Sequence, residues 1–212
     1  MVNIAVLVLA GGQSRRMGRD KALLQLPLAH QPTLLEYICN LAIAFSPQTY
    51  VLSPWPQRYE KFLPKTLTSL QEPSAGNGPL VALAQGWSMI LDSSQQRQQN
   101  SPDWLLVLAC DMPTLEILQI KHWQQTLTHV DESAIAALPR HLDRWEPLCG
   151  FYHRRCIPSL ETAIQNQVRS FQRWLANESV IQLPLSNSHM LRNCNTPLEW
   201  QQFLSSTSAR NL

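Results

Sequence analysis

The segment Asn3–Lys21, "NIAVLVLAGGQSRRMGRDK", decides how this chain is read. An apolar run passes through Leu9 and Ala10 and meets two glycines, Gly11 and Gly12. Four basic residues, Arg15, Arg16, Arg19 and Lys21, then fall within seven positions. The apolar run reads as a strand buried on both faces, as in a parallel sheet. Glycine has no Cβ, so backbone N–H groups in the turn can approach a phosphate closely. One cation about 4 Å from a phosphate charge is worth roughly 4 kcal/mol at an effective dielectric near 20. A triphosphate therefore needs several convergent cations, and this loop carries them. It is neither of the two commonest phosphate loops: both Gly-x-x-x-x-Gly-Lys-Ser/Thr and Gly-x-Gly-x-x-Gly are absent.

Composition sets the limits around this segment. The chain has 212 residues, 44% of them hydrophobic, enough for one domain with a real core. A net charge of +2 excludes a molecule-wide polyanion binder, so no nucleic-acid partner is expected. The five cysteines, Cys39, Cys110, Cys149, Cys156 and Cys194, form no Cys-x-x-Cys pair or zinc spacing. Scattered and odd in number, they point to reduced thiols in the cytoplasm. The opening apolar run is too short to span a bilayer, and no membrane association is expected.

Further along, short apolar runs alternate with amphipathic ones. "TYVLS", "LTSL", "DWLLVLACD", "SAIAAL" and "EPLCGFYH" read as strands. "TLLEYICNLAIAF" has helical spacing, with Thr33 and Glu36 as a capping box. "PLVALAQGWSMIL" reads as a helix with Pro79 in its first turn. "TLEILQIKHWQQTL", "RCIPSLETAIQNQ", "RSFQRWLAN" and "PLEWQQFL" complete the helices, with Thr114 and Thr196 as caps. "SSQQRQQNSPD" reads as a solvated loop. The alternation implies an α/β fold, doubly wound, with a mainly parallel sheet. In such folds ligands sit beyond the carboxyl ends of the strands. That puts the glycine loop and Asp111, at the end of "LLVLACDMP", on one rim. Asp111 reads as a Mg²⁺ ligand, because Mg²⁺ takes one or two carboxylates and completes its shell with phosphate and water. Cys110 reads as packing.

"LAGGQSRRMGRDKALL" closely resembles the signature of the molybdenum cofactor guanylyltransferases, Leu-Ala-Gly-Gly-x-Ser-x-Arg-Met-Gly-x-Asp-Lys. The resemblance extends from Ile4 to about Phe203. It implies a Rossmann-like nucleotidyltransferase fold, three-layer α/β/α, in a single domain over 1–212. About 1–138 would bind GTP and Mg²⁺, and about 139–212 the acceptor. Leu9, Ala10, Gly11 and Gly12 would offer backbone to the nucleotide, and Arg16 and Lys21 would meet its phosphates. Asp111 matches the metal motif. Glu72, before Gly78-Pro79-Leu80, matches the acidic position that accepts from guanine, although the family usually has Asp there; a solvated loop Glu is the alternative. Ser53 is a further candidate for the base pocket. Glu146-Pro147-Leu148 matches the family core after the fifth strand. Arg169 and Arg173 would face an anionic pterin phosphate if they share a helix face, or else lie on solvated surface. Asn193 and Asn195, in "LRNCNTPLEW", would help hold substrate or metal.

The reaction implied joins GMP from GTP to the phosphate of molybdopterin, or its molybdenum form, and releases pyrophosphate. Transient contact with other molybdenum cofactor proteins also follows from the resemblance. A cytidylyltransferase, a sugar-phosphate nucleotidyltransferase and a non-catalytic nucleotide-binding protein are the alternatives.

Overall fold

Strand β1 (Ile4–Leu9) lies between β2 (Thr49–Ser53) and β4 (Trp104–Ala109) and runs parallel to both. β3 (Thr68–Gln71) adds in parallel outside β2. β1, β2 and β4 are buried along nearly their whole length, as a sheet covered on both faces requires, while β3 is an edge strand with only Leu70 buried. The computed structural model describes residues 2–73, 76–98 and 100–208. Beyond β4 the direction reverses at β7 and returns at β5. β7 (Cys149–His153) is antiparallel to β4, and β5 (Ala136–His141) is antiparallel to β7. β8 (Val180–Leu183) closes that side in parallel with β5, and β6 (Arg144–Trp145) folds back on the end of β5 as a hairpin. The result is one 8-stranded, mainly parallel sheet.

Successive side chains of β1 point to opposite layers. Ile4, Val6 and Val8 pack with Leu35 and Ile38 of α1 (Leu34–Phe45) and with Ile120 and Trp123 of α4 (Ile117–Thr126). α2 (Pro56–Tyr59) is a single turn after β2. Ala5 and Leu7 meet Leu83 and Trp87 of α3 (Pro79–Gln96), in a core shared with Leu160 of α5 (Ile157–Gln165) and Trp174 of α6 (Phe171–Leu175). The architecture is therefore three layers, α/β/α. At Gly86 of α3 a Cβ would run into the Leu7 side chain, so glycine lets this helix lie close on the sheet. A third cluster joins Met17 of the glycine loop to Leu34, Cys194, and Trp200 and Phe203 of α7 (Pro197–Ser208).

Several local expectations hold. Thr33 and Glu36 form the capping box of α1, and Pro79 opens α3. Thr196 and Glu199 form a second box at α7: the Thr196 hydroxyl accepts from Glu199 N at 3.3 Å, and Glu199 accepts from Thr196 N at 2.9 Å. Others are corrected. α3 runs on to Gln96, with the buried Ser94 hydroxyl donating to Ile90 O at 2.9 Å, so the polar loop begins later than its composition suggests. Gln99 of that loop lies outside the described residues. Thr114 does not cap α4; its hydroxyl donates to His189 O at 2.6 Å, and the helix starts at Ile117. Glu146–Leu148 precedes β7 instead of forming part of it. Strands β6 and β8 had no expectation.

Replacing Thr33 by Ala removes one half of a reciprocal cap. The expected loss is about 1 kcal/mol of unfolding free energy, measured by urea denaturation at unchanged slope.

Candidate active site

The β1–β4 register pairs Leu9 with Ala109, so the segments after both strands leave the sheet side by side. Ala10 N still donates to Leu52 O at 2.9 Å, and the glycine loop begins there. Its next turn is held by Ser14 O, which accepts from Met17 N at 3.0 Å and Gly18 N at 3.1 Å. The Ser14 hydroxyl accepts from Lys21 N at 3.1 Å. Asp20 caps the turn that Lys21 opens, accepting from Ala22 N at 3.1 Å. Its other oxygen accepts from Tyr59 Oη at 2.9 Å and Arg58 Nη1 at 3.2 Å. Burial and Asp20 together push the Tyr59 phenol well up, so it remains a donor. The backbone of Lys21 is thus pinned from both sides.

The side chain of Lys21 meets β4's exit loop. Its Nζ donates to Asp111 Oδ2 at 2.5 Å and to Asn195 Oδ1 at 2.7 Å. Asn195 arrives from the far end of the chain and is held there. Its N–H donates to Glu199 Oε2 at 2.7 Å, while Cys194 N donates to Asp111 O at 3.3 Å. The Asn195 bond and the capping bonds from Thr196 hold the Glu199 carboxyl below its ordinary pKa, and nearby Arg16 adds to this.

These groups border a cleft of about 510 Å³, ample for a cofactor-sized ligand. Leu9 through Arg15 form one wall, with Lys21 and Asp111 at one end. Leu52, Ala82, Ala109 and Leu148 supply apolar surface. Glu72, just past β3, lines the cleft at 7% exposure, and burial raises its pKa. A Cβ on Gly11 would lie 2.8 Å from Glu72 Oε2 and 3.1 Å from Pro54 Cδ, so a side chain there would have to displace the Glu72 carboxylate. Ser74 and Ala75, in the loop after Glu72, lie outside the described residues.

Other candidates fall elsewhere. Ser53 is fully buried and its hydroxyl accepts from Trp55 N at 3.0 Å; it is committed to that turn and does not line the cleft. Arg16 is exposed and near enough to Glu199 to lower its pKa but does not line the cleft, whereas Arg15 does. Arg169 does not share a helix face with Arg173, because Ser170 caps α6 and the helix starts at Phe171. Arg169 instead donates to Ile164 O and Val168 O, each at 3.2 Å. Arg169, Arg173 and Asn193 are exposed and none lines the cleft. Burial, Asp111 and other nearby groups leave the Cys110 thiol far above the range of a thiolate, which fits its reading as packing. Asp20 and Tyr59 had drawn no functional expectation. Asp20 was nevertheless visible beside Lys21 in the opening motif.

A metal ion is chemically compatible with this donor set. Among the described residues no group of three or more His, Cys, Asp or Glu comes together. One carboxylate at the cleft's end, with the Asn195 amide oxygen beside it, suits a hard cation that takes its remaining ligands from phosphate and water.

Residues 6–181 match the MobA-like NTP transferase domain. The chain belongs to the MobA-like NTP transferase family. It is a nucleotidyltransferase by that membership, and the fold agrees. A probable molybdenum cofactor guanylyltransferase from Nostoc sp. is 43% identical over 204 residues, spanning 93% of this chain and 88% of that protein. The crystal structure of molybdopterin-guanine dinucleotide biosynthesis protein A from Archaeoglobus fulgidus superposes with a TM-score of 0.74, covering 97% of this chain and 99% of that one at 21% identity. A Mycobacterium tuberculosis protein solved in complex with manganese has a TM-score of 0.62 at 15% identity, covering 97% and 100% of the two chains.

Gly11→Ala forces Glu72 and the glycine loop apart. It is expected to weaken nucleoside triphosphate binding about tenfold by calorimetry, and an unchanged affinity would contradict the close approach.

Proposed function

We propose that this transferase moves GMP from GTP onto the terminal phosphate of molybdopterin, or its molybdenum form, releasing pyrophosphate. The observation that carries this reading is the meeting of Lys21 and Asp111 at 2.5 Å in a cleft walled by the glycine loop. The names of the relatives support the choice of nucleotide and acceptor.

In this reading the backbone from Leu9 to Gly12 borders the nucleotide, and Glu72 accepts from the N1–H and N2–H₂ donors of guanine. Lys21 and Arg15 balance charge on the β- and γ-phosphates, with Arg16 reaching in from the rim. A divalent cation, Mg²⁺ by preference, would be held by Asp111 with Asn195 nearby, and when bound it neutralises charge on the reacting phosphates. A phosphate monoester has its second pKa near 6 and is mostly a dianion at pH 7. The acceptor phosphate is therefore a nucleophile without a general base, which suits a cleft with no histidine among its lining residues. Catalysis reduces to alignment of two anions and stabilisation of the leaving pyrophosphate. Residues from about 139 onward receive the acceptor, with Arg173 and Asn193 as exposed anchors; Leu148 and Asn195 already reach the cleft or its cations. A cytoplasmic location suits the free cysteines, and no helix among the described residues is long and apolar enough to cross a membrane.

The direct test incubates the protein with GTP, Mg²⁺ and molybdopterin and identifies the product by mass; the guanine dinucleotide is expected. Lys21→Ala should lower turnover by about 10²-fold or more, and near-wild-type turnover would defeat its role. Glu72 adds a pH signature. Its raised pKa means that acidification neutralises it at a higher pH than an ordinary Glu, after which it no longer accepts fully from guanine. The KM for GTP should rise as pH falls through that range, and Glu72→Gln should flatten the profile.

A further inference from the structure

Lys21 Nζ holds two oxygens at once, Asp111 Oδ2 at 2.5 Å and Asn195 Oδ1 at 2.7 Å. These are the oxygens that a divalent cation would need at this end of the cleft. Both ion-pair side chains are largely withdrawn from water, at 16% and 14% exposure, so solvent screens the site weakly. The backbones that carry these two oxygens are tied in place. Asn195 is tied to Glu199 through its N–H, and the backbone of Asp111 is tied to Cys194. Cys194 is fully buried in the cluster with Met17 and Trp200. The lysine is the part that can move, because its ammonium ends a flexible four-carbon stem while its backbone is fixed by Ser14.

We propose that the Lys21 ammonium and the divalent cation compete for the same two oxygens, so that the metal site opens only when a triphosphate draws Lys21 onto the glycine loop. This rests on Asp111 being the metal ligand. An ammonium and a divalent cation repel each other when crowded against one carboxylate. Phosphate oxygens give the ammonium another partner within reach of the same loop, and its departure leaves Asp111 and Asn195 to the metal. Nucleotide and metal then bind with positive coupling, and each strengthens the other by the same factor. Lys21 thus acts in two ways: it stabilises phosphate charge, and it keeps free divalent cations out of the cleft.

Mn²⁺ is the probe, its binding read by electron paramagnetic resonance with and without a GTP analogue that cannot be cleaved between its α- and β-phosphates. The proteins compared are wild type, Lys21→Met, Lys21→Gln and Asp111→Asn, each checked for folding by circular dichroism. Without nucleotide, Lys21→Met and Lys21→Gln should bind Mn²⁺ about tenfold more tightly than wild type, opposite in sign to their loss of turnover. The analogue should tighten Mn²⁺ binding to wild type by about 5–150-fold, and much less in the lysine variants. Should only one lysine variant fold, that variant decides the comparison. Lysine variants that bind Mn²⁺ no more tightly than wild type overturn the competition and leave the metal role of Asp111 standing. An Asp111→Asn protein that binds Mn²⁺ as wild type does, with the analogue present, overturns that role itself and the competition with it.

Discussion

The parallel pairing of β1 with β4, from Ile4–Trp104 to Leu9–Ala109, is what the rest of the molecule depends on. Both strands are buried on both faces, so their register is set by which side chains enter which layer. A slip by one residue would send Val6 and Val8 to the layer built for Leu7. Because the two strands end level, the chain leaves each through a loop beside the other. The glycine loop and the carboxylate of Asp111 become neighbours although about ninety positions separate Lys21 from Asp111 in sequence.

Charge on this rim is arranged in pairs. Asp111 faces Lys21, and Asp20 faces Arg58, whose guanidinium also lies 4.7 Å over the ring of Trp55. Arg15 and Arg19 stand beside them, around a smaller hollow of about 360 Å³ that adjoins the main cleft. The two ion pairs do different work. The Asp20 pair is structural, since that carboxylate also caps the turn that presents Lys21. The Lys21 pair is the one we propose to be exchangeable, since a polyphosphate and a metal would each offer one member another partner.

Much of this was legible in the sequence where local chemistry and tertiary position agree. The continuous apolar run of β1, the Thr33–Glu36 box and Pro79 at the head of α3 are features that a short window contains. The loop signature carried the family. Legibility failed where partners come from elsewhere in the fold. Nothing near Thr114 announces that its hydroxyl will serve His189 O, and the full burial of Ser53 comes from the layers packed on β2. Arg15 and Arg16 are chemically alike in a string; which one lines the cleft depends on a turn made by Ser14 at positive φ. β8 was missed because Val180–Leu183 is short and only half covered, and it is a strand by virtue of β5 beside it. Asn195 was visible as a motif, but not as the acceptor for Lys21.

The cluster that joins Met17 to Cys194, Trp200 and Phe203 has a consequence for how the protein is born. A domain generally folds as a unit. Leu24, Leu26 and Leu34 are made early and can back Met17, but Trp200, Phe203 and the Asn195 acceptor for Lys21 come only with the last stretch of chain. Completion of the rim therefore waits on the last helix and the residues just before it.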